Sequence, residues 1–342
     1  MSGARAGNGT GGRPKRPTMV DVAREAGVAL RTVSRVVNND PTVGPEYATK
    51  VEAAIAALNY RPDERARQLR TGITGTIGAA VRRIAEVNPE LAAIEQTARE
   101  SGLTLLAAST DFEEAREREI LVSMCRQRLD GIILEPFGDN HSYLQPELDA
   151  GMPIVAMDRP MSGVSVDCVM SDNASGIGTA FHHLTRYGHR RIAYVGDREQ
   201  VYSGRERAAA FRAALGAHGQ PLDGLVHPGE ITPERVAAAL DTALYGPEPA
   251  TALVTGSMDT TLTALRVLGP KAASRLAIVG FDEVPHADLL QPALTVVAQQ
   301  TALIGRTAVE LLLARIADPA RQVQTVVLPL TLTVRGSGEI PA

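Results

Sequence analysis

Tryptophan is absent from this 342-residue chain, which has only five phenylalanines and seven tyrosines. Flat ring faces for stacking ligands are therefore scarce. The two cysteines, Cys125 and Cys168, lie far apart and lack metal-ligand spacing. Neither a disulfide framework nor a cysteine zinc site is indicated, and two ordinary buried thiols are expected. No apolar run is long enough to span a bilayer. Residues 1–17 are rich in Gly, Arg, Pro and Lys and carry no apolar signal-peptide core. The expectation is a disordered basic tail on a cytoplasmic protein. No Gly-rich phosphate loop with a following Lys is present, and His182-His183 share one helix without a further carboxylate or cysteine at ligand spacing. His189, in a GHRR turn, reads as structural. With no catalytic set, cofactor motif or metal site in view, an enzyme is not expected.

Charge is divided rather than scarce. The net charge is −4, but residues 1–70 hold 12 Lys and Arg against 7 Asp and Glu, a net of +5, while the remainder holds 23 against 32, a net of −9. A basic head on an acidic body presents one end to a polyanion and repels it with the other. Hydrophobic residues make up 44% of the chain, enough for a substantial core, and the length allows more than one domain.

The stretch Met19–Asn38 predicts two short helices around a tight turn. Val20, Val22, Ala23 and Ala26 give the first an apolar face, with Thr18 as its cap. Gly27 breaks it in a left-handed conformation. From Leu30 a second helix buries Val33, Val36 and Val37 and presents Arg31, Thr32, Ser34 and Arg35. Such a helix suits the major groove, because Arg can donate two bonds to guanine and Thr or Ser can reach phosphates or base edges. Asn38 ends the helix within reach of a phosphate. Pro45 opens a third helix with an inward stripe of Val51, Ala54, Ile55 and Leu58.

The run DVAREAGVALRTVSRVVNN, with the third helix PEYATKVEAAIAALNY and the segment RPDERARQLRTG, closely resembles the DNA-binding head of the LacI/GalR family of bacterial transcriptional regulators. Ala29 departs from the Ser usual there, which should cost about 1 kcal/mol of capping stability. The resemblance implies that residues 61–72 form a hinge helix that pairs with its copy in the minor groove. Leu69 then matches the leucine that wedges between base pairs at the operator centre. Arg65, Arg67 and Arg70 are phosphate candidates.

From Thr76 onward, apolar strand-like runs (TIGAAV, TLLAAS, GIILE, PIVAM, RIAYVG, TALVT and LAIVGF) alternate with helical stretches. This predicts a doubly wound α/β fold with parallel sheets, in two lobes by length. HLTRYGHRRIAYVGD, AIVGFDEVPHADLLQPALTVVAQ and LPLTLTVRGSG also resemble the family. The likeness implies lobes like those of periplasmic sugar-binding proteins, crossed three times by the chain. The expected domains are a head over 18–60, the hinge over 61–72 and a core over 73–342. Within the core, the first lobe is expected at about 73–170 and 299–324, and the second at about 171–298 and 325–342.

Ligands of open α/β lobes sit beyond the carboxyl ends of strands. Asp158 follows PIVAM and Asp282 follows LAIVGF, so both can accept bonds from sugar hydroxyls, and Arg207 can donate. A helix cap or a salt bridge is the competing reading of each Asp. The resemblance implies effector contact for these three and for Gln299 at a lobe crossing. Ser257 stands where the family usually has an Asn-Asp pair and is carried as a candidate, with Asp259 displaced. The first loop, Asn88-Pro89, continues into Glu90 and Leu91 rather than aromatics. Missing rings, with Arg82 and Arg83 nearby, raise the option of an anionic effector such as a sugar phosphate.

Together these readings imply a homodimeric transcriptional regulator, a repressor, that binds a pseudo-palindromic DNA operator and answers to a small-molecule effector, a sugar or sugar derivative. Two alternatives stay open: a cytoplasmic small-molecule-binding protein, and a regulator without small-molecule control. No membrane partner is expected, and no C-terminal heptad extension is visible to form a tetramer.

Overall fold

Thr18 starts the helical head by reciprocal capping. In the computed structural model, which describes residues 17–38, 40–61, 73–84 and 88–342, its backbone N–H donates to the Asp21 carboxylate while its hydroxyl accepts from the Asp21 N–H. Helix α1 (Met19–Ala26) ends at Gly27, φ 64°, whose N–H bonds the Ala23 carbonyl. A side chain there would be strained by the backbone angle. Helix α2 (Leu30–Val37) begins at Ala29 with no side-chain cap, as its sequence implied. Helix α3 (Pro45–Leu58) has its proline in the first turn. Val22, Val33, Val51, Ala54 and Tyr60 form the buried core, with Ala23, Val36, Val37, Ile55 and Leu58 packed around it. Val20 is a correction, since it is 60% exposed. The inward stripe of α1 is Met19, Val22, Ala23 and Ala26, at helical spacing, and Val20 falls outside it.

The chain divides into two units between Thr74 and Gly75. The second holds two six-stranded sheets. Lobe 1 contains β1 (Thr76–Val81), β2 (Thr104–Ser109), β3 (Gly131–Leu134), β4 (Ile154–Met157) and β5 (Asp167–Ser171), with helices α4 (Pro89–Glu100), α5 (Glu114–Arg126) and α6 (Gln145–Asp149). The chain then crosses at Asp172 into lobe 2. That lobe contains α7 (Asn173–Arg186), β6 (Ile192–Gly196), α8 (Tyr202–Ala217), β7 (Val226–Pro228), α9 (Pro233–Tyr245), β8 (Ala252–Thr255), α10 (Met258–Ala273), β9 (Ala277–Phe281) and β10 (Thr295–Ala298). It returns through α11 (Thr301–Ala317) and β11 (Thr325–Leu328), and ends in β12 (Thr331–Thr333).

The sheet orders are β11-β5-β4-β3-β1-β2 and β12-β10-β9-β8-β6-β7, so the lobes repeat one topology. All pairings are parallel except β10 with β12. The seven strands read from apolar runs are all present. One boundary moves: β11 pairs with β5, Thr325 opposite Cys168, so residues 325–328 belong to lobe 1 and the last crossing follows Leu328 rather than residue 324. Helix α11 lies against α4, β3, β4 and β5, where Gly305 is required. A Cβ at that position would lie 2.4 Å from the Glu90 carbonyl oxygen.

Four of the twelve Phe and Tyr rings, Phe181, Tyr194, Phe211 and Phe281, are fully buried in the lobe 2 core. Cys125 and Cys168 are free and buried, and burial pushes their thiols up to about 11 and about 12. His189 is structural: its ring bonds Thr251 Oγ1 and the Ile340 carbonyl, both at 2.8 Å. Among the described residues no helix is long and apolar enough to cross a membrane.

Candidate functional sites

The outward face of α2 carries the residues singled out for DNA. Leu30 is 47% exposed and Arg31 is exposed, while Thr32 and Ser34 are half-buried. Arg35 is already engaged. Its Nε donates to Asp40 Oδ2 at 2.9 Å and its terminal amine to the Thr42 hydroxyl. Bonds from the Thr42 side chain and from Arg35 hold the Asp40 carboxyl well below the usual range. Asn38 is exposed and donates to the Ser34 carbonyl. Arg65, Arg67, Leu69 and Arg70, with the hinge segment, lie outside the described residues.

In the second unit, strand ends deliver charged groups to the gap between the sheets. Asp158 follows β4 and Asp282 follows β9. Asp158 accepts from the Nε and a terminal amine of Arg159 at 3.0 and 2.8 Å. Burial pushes its carboxyl up, but Arg159, Arg82 and Arg207 outweigh burial and hold it at about 2. Arg207 is 4% exposed. Its Nε donates to Asn173 Oδ1 and another nitrogen to the Gly256 carbonyl, both at 2.7 Å. It sits 3.8 Å from the centre of the Phe281 ring and 3.9 Å from Asp282.

Gln299 joins the lobes. Its amide nitrogen donates to Asp282 at 2.7 Å, while its carbonyl accepts from the Ser171 hydroxyl at 2.6 Å. Four of the five sequence candidates are thus linked by contacts or mutual electrostatics: Asp158, Arg207, Asp282 and Gln299. Ser257 has another task, because it caps α10 through the Thr260 N–H and bonds the carboxyl of Asp197. It borders the site through that residue. Asp259 points outward, exposed in the first turn of α10.

Sequence reasoning missed several neighbours. Glu135, after β3, pairs with Arg82 and accepts from its backbone N–H at 3.1 Å. Burial opposes the charge on Arg82, but Glu135, Asp158 and Asp282 hold its pKa above the usual value. Burial pushes the Asp197 carboxyl up despite Arg207 and the Ser257 bond. Burial, together with repulsion from Glu135, Asp158 and Asp282, pushes Glu90 up to about 7. Glu135 and Asp197 follow strands just as Asp158 and Asp282 do, so the same strand-end rule would have found them. Phe112 and Phe137, half-buried after β2 and β3, form an edge-to-face pair with centres 5.9 Å apart, and Arg82 lies 5.8 Å from the Phe112 centre. Arg83 lies 4.9 Å from the same ring.

The arrangement offers acceptors for hydroxyl groups, one buried donor and two ring edges or faces. Arg82, Arg159 and Arg207 stand among five carboxylates, Glu90, Glu135, Asp158, Asp197 and Asp282, and Arg82 is committed to Glu135.

The model for bacterial regulatory proteins of the lacI family matches residues 18–63, and that for the periplasmic binding protein-like domain matches residues 181–338. The HTH-type transcriptional regulator PtxS of Pseudomonas aeruginosa is 33% identical over 94% of this chain and 96% of its own length. The transcriptional regulator CelR in complex with cellobiose is 31% identical with a TM-score of 0.67, over 94% of this chain and 100% of that one. The lac repressor dimer bound to operator is 25% identical with a TM-score of 0.80, over 95% and 99%. The chain therefore belongs to the lacI family of bacterial regulatory proteins, as a helix-turn-helix transcriptional regulator with a periplasmic-binding-protein-like core rather than an enzyme.

Proposed function

We propose that this regulator is a repressor that binds a pseudo-palindromic operator as a homodimer and is controlled by a neutral sugar held between the lobes. The observation that carries the reading is the Ser171–Gln299–Asp282 bridge. Gln299 occupies a crossing and holds one residue of each lobe, beside Arg207. A hydroxyl-bearing ligand that bonds Asp282 competes with the Gln299 amide and changes what holds the lobes together. An effector acts only through unequal affinity for two lobe arrangements. The rings of Phe112 and Phe137 supply apolar contact for a sugar face, and the solved relative with cellobiose and the operator-bound dimer support both halves of the proposal. In the head, Leu30, Arg31, Thr32, Ser34, Arg35 and Asn38 would face DNA, with Arg65 and Leu69 of the hinge at phosphate and base step.

Selection of genomic fragments with the purified protein, then footprinting with and without neutral sugars, tests the reading. Recovery of a palindromic site whose protection responds to a neutral sugar supports it. Binding indifferent to sequence refutes the operator half. Protection unaffected by neutral sugars but relieved by sugar phosphates refutes the neutral-effector half, and protection unaffected by either favours a regulator without small-molecule control.

A further inference from the structure

His182 has no ligand partner along its own helix, but the fold supplies one. His218, the residue that closes α8, brings its ring centre to 5.4 Å from that of His182, with 60° between the planes. Helices α7 and α8 run side by side from the cleft, where Asn173 meets Arg207, to the far end of lobe 2, where these two rings meet. The neighbouring His183 is occupied, bonded to Glu339. His182 and His218 are both exposed.

The chemistry of His218 is fixed by one contact. Its Nδ1 lies 3.0 Å from the Ala214 carbonyl oxygen. A carbonyl only accepts, so Nδ1 carries the hydrogen, and the lone pair of the neutral ring is on Nε2. A backbone carbonyl that fixes the tautomer in this way is the usual support of a metal-ligating histidine. Phe181, fully buried, lies 4.9 Å from the His218 ring centre and backs it. Among the described residues the His182 ring has no hydrogen-bond partner. Two imidazoles on one tetrahedral cation place their ring centres about 5 Å apart when metal–nitrogen distances are about 2.0–2.1 Å, close to the separation found here.

We propose that His182 and His218 form a surface site for a divalent transition cation of the imidazole-binding class, such as Zn2+, with water completing its coordination. Among the described residues no group of three or more His, Cys, Asp and Glu converges to hold a metal. The site is thus a two-ligand one, weaker than a four-ligand structural zinc site. A bound cation would pin α7 to α8 at the end opposite Arg207.

Titration of the full chain with Zn2+ by calorimetry in a non-chelating buffer tests the proposal. His182→Ala and His218→Ala should each weaken zinc binding at least about tenfold, and His227→Ala should leave it unchanged. Both rings are exposed, so without zinc the two site variants should melt within a few degrees of the parent. With zinc, the melting temperature of the parent should rise, and those of the two site variants should not. Parent-like zinc affinity in either site variant overturns the proposal. So does a Cu2+ spectrum in which His218→Ala leaves the number of coordinated nitrogens unchanged.

Discussion

Asp158 and Asp282 hold the same place in the two lobes but are balanced by different partners. Each follows the strand, β4 or β9, that pairs in parallel with β5 or β10. Each has a left-handed backbone, φ 70° and 69°, and each N–H bonds the neighbouring strand, Val169 or Val297, at 2.9 Å. Asp158, however, is bonded directly by the buried Arg159, whereas Asp282 accepts from the neutral Gln299 amide and lies 3.9 Å from Arg207, whose own bonds go to Asn173 and the Gly256 carbonyl. Asn tolerates left-handed angles, so an Asn at either position tests charge alone. Asp158→Asn strips Arg159 of its ion pair and should cost about 3 kcal/mol of stability. Asp282→Asn should leave melting within a few degrees of the parent while weakening sugar binding about tenfold, the loss of one bond to a charged group. Melting curves and calorimetry read both, and equal destabilisation by the two changes would remove the distinction.

Glu90 gives stability a pH dependence of defined sign. Its carboxyl stands at about 7 in the folded chain against a reference of 4.5. The native state binds more proton than the unfolded chain between those values, so this contribution to stability falls as pH rises from about 4.5 to about 7 and is level above. Glu90→Gln removes the dependence. Allowing for screening of a half-buried group, the variant should gain about 1 kcal/mol, or a few degrees of melting temperature, at pH 8. The two proteins should melt together near pH 4.5. A difference of the same size at both pH values would place its cause elsewhere than in the carboxyl.

How much of this was legible in advance depended on the range of the interaction. Strands such as IVAM and AIVGF announce themselves, because a central parallel strand is buried on both faces. The strands that escaped notice are mixed or short: DCVMS of β5, VHP of β7, TVVA of β10, TVVL of β11 and TLT of β12, the last two separated by Pro329 and Leu330, which carry the chain between sheets. Asp158 and Asp282 were visible as strand-end residues. The bonds they make were not: Arg159, next to Asp158, carries no signal of its own, and Gln299, though a candidate, reaches Asp282 across 17 positions and Ser171 across 128. In the head, Thr18, Gly27 and Pro45 were readable because caps and turns are local. The tie of Arg35 to Asp40 and Thr42 was not, because both partners lie beyond the end of α2, in the loop before α3.

On the proposed reading, in which Arg35 faces DNA, that tie makes Asp40 a brake on it. Asp40→Asn should raise the charge of the head by one and loosen Arg35. Binding to random DNA should tighten, and its dependence on log salt should steepen by about 0.9. Arg35→Ala should act differently, narrowing the gap between operator and random DNA by about 1–3 kcal/mol. Equal weakening on both DNAs would make Arg35 a phosphate contact.

Ala29 leaves the first amides of α2 without a side-chain acceptor, although this helix presents the candidate DNA-reading residues. A serine there finds the needed geometry already in place. The backbone at Ala29 is extended, φ −66° and ψ 147°, and its carbonyl already accepts from the Thr32 and Val33 N–H groups. The Ser hydroxyl would then accept from the amide two or three residues on. Ala29 is exposed, so the added atom meets no packing cost. Ala29→Ser should stabilise the head by about 1 kcal/mol. Hydrogen exchange of the full chain should show slower exchange at Thr32 and Val33, with rates in β1 and β6 unchanged. Operator affinity should rise as well, to the extent that fraying of α2 opposes binding. Unchanged exchange at Thr32 would mean that the start of α2 is held by other contacts and that Ala29 is no deficit.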